Sequence, residues 1–159
     1  MKKVLIVLAL VALAIVPVAA KGVAAIGLEL GQPTGITFDY KIDNKWDGYV
    51  TGAFGFGSQS YIDVVIGGQY QAGTFQIGKA DFGVNVGLQG GAIIWLGDAN
   101  GISIAARATA SVSYDWTWKN VGDFTVYLRG ALGVGIGLTE NHGGVGLSGA
   151  GALGLVYHL

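Results

Sequence analysis

The chain has no cysteine, so a disulfide framework and thiolate chemistry are both excluded. It has two prolines, and only 12% of its residues are charged. Soluble domains normally carry about 25%. It also has no second long apolar run: after the first twenty residues nothing approaches the length of a membrane-spanning helix, so any span must be built from strands. The two histidines, His142 and His158, lie far apart in sequence, and no His-x-Ser pairing exists. A nucleophile needs a base within hydrogen-bond reach. The sequence therefore offers no catalytic residue, and we expect no enzyme. Glu140 beside His142 makes too small a cluster for a metal. No metal or cofactor is expected.

The first segment has the shape of an export signal. Lys2 and Lys3 precede an unbroken apolar run from Val4 to Val16, and Val18-Ala19-Ala20 supplies small residues for cleavage. The run is shorter than the roughly 20 residues of a spanning helix. Residues 1–20 read as a signal peptide and 21–159 as one domain. Without Lys2 and Lys3, the 9 basic residues fall to 7 against 10 acidic ones. A basic nucleic-acid binder is excluded on charge. All 29 glycines fall in this domain, well above a usual share of about 7%.

Alternation with period two dominates the domain, which means strands. From Ile102 to Trp118 one face reads Ile102, Ile104, Ala106, Ala108, Ala110, Val112, Tyr114, Trp116, Trp118; the other is small and polar, with Arg107 and Asp115. Seven further segments repeat the pattern, over 22–30, 36–42, 48–57, 61–72, 81–96, 124–138 and 145–159. Turn-like residues separate them, among them Gln32-Pro33-Thr34-Gly35 and Gly97-Asp98-Ala99-Asn100-Gly101. Residues 71–79 read either as a long turn or as extensions of both flanking strands. Eight antiparallel strands in one closed β-barrel is the fold expected. Gly144-Val145-Gly146-Leu147-Ser148-Gly149 formally fits a dinucleotide fingerprint, but it lies inside a strand pattern with no helix to follow, so it is discarded.

Alternation does not say which face looks outward. The non-apolar face is mostly Gly, Ala, Ser and Thr, too small and too sparsely charged for a water-facing surface. It suits the narrow interior of an eight-stranded barrel. Glu29, Asp39, Lys41, Asp63, Arg107, Asp115 and Arg129 are the charges expected there, paired into a neutralising network. Arg129 is expected near Ser113 and diagonal to Asp115, and Arg107 between Gly91 and Gly135, with room to cross the interior toward Glu29 or Asp63. Tyr40, Tyr70, Phe82, Trp116, Trp118, Phe124 and Tyr157 fall at one level of the apolar faces, as an aromatic girdle at the periplasmic interface does. Phe54 and Phe56 are candidates for a thinner ring at the other interface.

The last strand carries Gly154, Tyr157 and Leu159 at the chain end, which resembles the C-terminal assembly signal of bacterial outer-membrane proteins, with Leu159 where most have Phe. With Gly31-Gln32-Pro33-Thr34-Gly35 before a strand, residues 21–159 resemble small outer-membrane β-barrel proteins of the OmpX type or the OmpA membrane domain, and an uncharacterised set of bacterial outer-membrane proteins. The connections are shorter than in OmpX, and the periplasmic domain of OmpA is missing. The resemblance implies an integral protein of the cell outer membrane, with membrane lipid and the outer-membrane assembly machinery as partners, no nucleic acid and no stated oligomeric state. A structural or surface-interaction barrel with a plugged polar lumen is the function expected. The alternatives are a narrow channel for ions or small solutes and a soluble periplasmic barrel binding an apolar ligand.

Overall fold

A computed structural model describes residues 24–55, 60–96, 101–139 and 143–159. Residues 1–20, read above as a signal peptide, together with Phe56, Glu140 and His142, lie outside the described residues. Those residues form eight strands and no helix: β1 Ala24–Gly31, β2 Gly35–Lys41, β3 Trp46–Gly55, β4 Ser60–Ile77, β5 Ala80–Leu96, β6 Gly101–Trp118, β7 Gly122–Thr139 and β8 Gly143–His158. Each strand pairs antiparallel with the next, and β8 pairs with β1, so the hydrogen-bonded sheet closes on itself as a ring. Every strand has a partner on each side, but β8 over 143–150 pairs with β7 alone and β4 over 72–77 pairs with β5 alone, so these two stretches keep a free edge.

The turns explain the strand ends. Between β2 and β3, the Asp43 carboxylate accepts the backbone N–H groups of Lys45 (2.7 Å) and Trp46 (2.8 Å), an Asx turn. Between β6 and β7 the ladder runs up to the pair Trp118 and Gly122, with Asn120 at φ 68°. Asparagine tolerates that left-handed conformation better than most residues. Residues 71–79 are strand extensions rather than a long turn. Ile77 pairs with Ala80 across Gly78-Lys79, and Gly78 takes φ 65° at the first position of this two-residue hairpin. A register shift between Gln71 and Gly73 marks a bulge. One extra residue there reverses the parity of side chains, so the period-two signal breaks although the strand continues.

The β2–β3, β4–β5 and β6–β7 turns, Ala24 and Leu159 share one end of the ring, where the Leu159 N–H donates to the Ala24 carbonyl (2.8 Å). We call it the near end, and the opposite one the far end. Within the ring, the registers place one series of side chains inward and the alternate series outward. Every charged residue of the strands belongs to the inward series; the outward series carries none. The outward series is apolar and open, with Leu147 89%, Leu88 71% and Leu128 65% exposed. The inward series buries Glu29, Thr37, Thr51, Asp63, Gln69, Asn85, Gln89, Thr109, Ser111 and Arg129. This inverts the usual distribution, in which buried polar groups and large exposed apolar surfaces are the exceptions.

Candidate functional site

The interior is built around Arg129. Its Nη1 donates to Glu29 Oε2 at 3.2 Å, joining β7 to β1 with both side chains buried. The guanidinium lies between two phenol rings, 3.5 Å from the Tyr49 ring centre and 4.5 Å from that of Tyr127. Such stacking is strongest where water is excluded. The same Glu29 oxygen accepts from Tyr127 OH (2.6 Å) and Thr51 Oγ1 (3.3 Å). A buried carboxylate is costly unless several donors face it, and here three do. Arg129 Nε is buried without a hydrogen-bond partner.

Glycines make room for the two tyrosines. A Cβ on Gly67 would strike the Tyr49 ring, and one on Gly154 the Tyr127 ring. Each tyrosine is the neighbour of its glycine across the strand pair, so the ring lies flat on the bare backbone. The network then spreads round the wall. Thr51 Oγ1 lies 3.2 Å from Thr37 Oγ1, and Thr37 Oγ1 donates to Asp39 (3.0 Å). Tyr49 OH donates to Gln89 (2.8 Å), Gln69 bonds Thr109 and Ser111, and Asn85 bonds Ser111 and Ser113. Seven of the eight strands contribute a hydrogen-bonding side chain to this tier; β8 contributes Ala152 and Val156, both buried.

The tier separates two cavities that share no lining residue. The near-end cavity, about 110 Å³, is lined by Lys41, Asp47, Asp115 and His158 among others, with Arg129, Tyr49 and Tyr127 on its inner side. The far-end cavity, about 260 Å³, is lined by Arg107, Ser103, Ser148 and a wall of glycines.

The seven charges predicted for the interior are thus distributed unevenly. Glu29 and Arg129 form the central ion pair, and Asp39 joins it through Thr37. Asp63 is buried on β4, within electrostatic range of Arg107. Lys41 and Asp115 point inward but are exposed at the near-end mouth, where Asp115 accepts from Thr125. Two expected neighbourhoods are corrected. Arg129 pairs with Ser111, which makes Ser113 its diagonal neighbour and leaves Asp115, opposite Thr125, one step further away; Arg107 lies between Gln89 and Gly133 rather than between Gly91 and Gly135. Arg107 does not reach Glu29; its Nε donates to Ser148 at 2.8 Å. Sequence reasoning missed Tyr49 and Tyr127. Their signal was a tyrosine on the polar face of its strand, opposite a glycine.

Of the aromatic residues expected at one level, Phe82, Trp116, Trp118, Phe124 and Tyr157 lie in one near-end row, which Phe75 and Tyr114 join, with ring centres 5.2 to 6.3 Å apart. Tyr70 packs on Trp46 at 5.2 Å, and Tyr40 sits at the same end of β2. Phe54 faces outward at the far end, 46% exposed. Gly154 lies under the Tyr127 ring, and Tyr157 OH donates to the Val121 carbonyl (3.3 Å), closing β8 against the β6–β7 turn. Leu159 is exposed just past β8. The Gly144–Gly149 pattern lies inside β8. Among the described residues no group of three or more His, Cys, Asp or Glu could hold a metal ion. No protein-family model, no curated protein and no solved structure matches the chain.

Proposed function

We propose that this chain is an integral outer-membrane β-barrel whose lumen is plugged, serving as a structural or surface-interaction element of the envelope rather than as a pore or an enzyme. The observation that carries this reading is the inversion of the two walls: a continuous uncharged, apolar outside and a hydrogen-bonded polar inside. In hydrocarbon every backbone polar group must be satisfied internally, and a closed antiparallel ring does so wherever its strands pair on both sides, as all eight do over part of their length. Apolar side chains then meet lipid tails, and the row of Phe, Trp and Tyr at the near end suits the boundary between hydrocarbon and water. The export signal read over residues 1–20 and the terminal Gly154, Tyr157 and Leu159 fit delivery by the outer-membrane assembly machinery, with the near end in the periplasm.

The plug follows from the Arg129 tier. An ion crossing the ring would have to displace a guanidinium held between two rings and a carboxylate with three donors. A soluble barrel enclosing an apolar ligand draws no support from an interior this polar. Purified protein in a planar bilayer should insert and show no steady single-channel openings. Reproducible openings of fixed size would replace the plugged reading with the channel, and release from envelopes by salt without detergent would overturn membrane integration.

A further inference from the structure

The far-end cavity, about 260 Å³, has as its floor a cation with unused donors. Arg107 leaves β6 and crosses the interior. Its Nε donates to Ser148 on β8, while Nη1 lies beside Gly91 on β5, 3.4 Å from where a Cβ there would stand. The side chain is thereby held at two walls. Its two terminal nitrogens have no hydrogen-bond acceptor among the described residues, and no carboxylate lies within ion-pair distance of it there. Asp63 supplies a counter-charge at longer range, from a buried position outside the cavity lining. Arg129, one strand away, spends its charge on Glu29 and two rings; Arg107 does not.

The walls above this floor are unusually bare. A Cβ added at Gly144 or Gly146 would meet nothing within 4 Å, and one at Gly137 would approach only Ser103 Oγ, at 3.7 Å. At Gly144 and Gly146 the space could be filled by side chains at no steric cost, yet the lining combines these glycines with the hydroxyls of Ser103 and Ser148 and with apolar Ile93 and Ala105. A planar guanidinium whose two terminal nitrogens are free is matched to a carboxylate or phosphate, which that end can bind in a fork.

We propose that the far-end cavity is a binding site for a small solute bearing an oxyanion, a carboxylate or a phosphoryl group, seated on the terminal nitrogens of Arg107 with its body against the glycine wall. This deepens the surface-interaction reading, since it rests on the far end facing the exterior of the cell while the Arg129 tier blocks passage. Binding itself can be measured on the purified protein in detergent, so its failure is distinct from a failure of membrane integration.

The test is an NMR titration of the folded protein in detergent micelles with inorganic phosphate, with acetate and with neutral glycerol. The Arg107 Nε–H and the amides of Gly135, Gly146 and Ser148 should shift saturably with phosphate or acetate and not with glycerol; which anion saturates at lower concentration distinguishes a phosphoryl from a carboxylate ligand. Arg107→Gln should weaken binding by about tenfold or more, the loss of a charge-assisted contact. Gly146→Leu should abolish it without touching Arg107, since its side chain enters open space. Asp63→Asn should tighten it, because a competing negative charge is removed, an effect that a merely structural Asp63 would not produce. No saturable shift, equal shifts in Gly146→Leu, or shifts confined to the near end would overturn the proposal.

Discussion

The inner and outer walls of this ring are made by the same strands and obey opposite rules. On β7, Leu128 points outward and is 65% exposed, while Arg129, the next residue, points inward and is 5% exposed. The outer wall is uncharged, with loose aliphatic side chains and bare glycines such as Gly130, where an added Cβ would meet nothing within 4 Å. The inner wall is a hydrogen-bonded network in which most polar atoms have named partners. The difference teaches where specificity resides. An outer wall that meets lipid, as we propose, asks only for apolarity, so many side chains will serve; the interior asks for pairing, so few will.

Breaking the comparison starts with the largest effect, on the inner wall. Arg129→Ala leaves Glu29 buried without its counter-charge and should cost about 3–5 kcal/mol, whereas the double change Glu29→Gln with Arg129→Met should recover much of it. Urea unfolding in lipid vesicles, followed by tryptophan fluorescence, reads both. The outer wall comes next. Leu128→Arg should cost about 2–4 kcal/mol in lipid, while at a water-facing position a surface change stays within about 0.5 kcal/mol; the same unfolding experiment separates the two.

Matched glycines sharpen the contrast on β8. Gly154→Leu must displace the Tyr127 ring, and should cost roughly 1–3 kcal/mol as overpacking does. At Gly151, on the outer wall, a Cβ would come only within 4.0 Å of the Arg129 carbonyl oxygen, and Gly151→Leu should be nearly neutral. The smallest effect is expected in the near-end aromatic row. Trp116 stacks on Tyr114 and Phe124, and Trp116→Ala should lose about 0.5–1.5 kcal/mol of ring contact beyond its buried area, seen as a lower unfolding midpoint.

The faces were legible in the sequence, and the neighbours across strands were not. Both misplaced arginines slipped by two residues: the β6–β7 ladder runs closer to its turn than the residue types suggest, up to Trp118 and Gly122, and the β5–β6 ladder is offset along its connection, so that Trp95 pairs with Gly101. A slip of two preserves which wall a side chain faces, and a slip of one would have inverted it. Arg107 and Arg129 were therefore placed inside correctly and given the wrong partners. The bulge at Gln71 to Gly73 hid the end of β4 by reversing parity within a single strand, so Phe75 was missed from the aromatic row. Tyr49 and Tyr127 were hidden by chemistry rather than register. Alternation puts Tyr127 on the polar face beside Arg129, but a tyrosine fits an apolar pattern and a polar one equally, and it is the glycine opposite each that marks a ring lying flat on the inner wall.

The most direct test of the central claim is the gel mobility of the protein in isolated outer membranes, unboiled against boiled, after detergent extraction. A closed ring that holds its strands in lipid should resist the detergent cold and unfold only on boiling, so the two samples should run at different positions. A single position for both, with the protein recovered in the soluble periplasmic fraction, would contradict the account and return the apolar outer wall to explanation by a soluble partner.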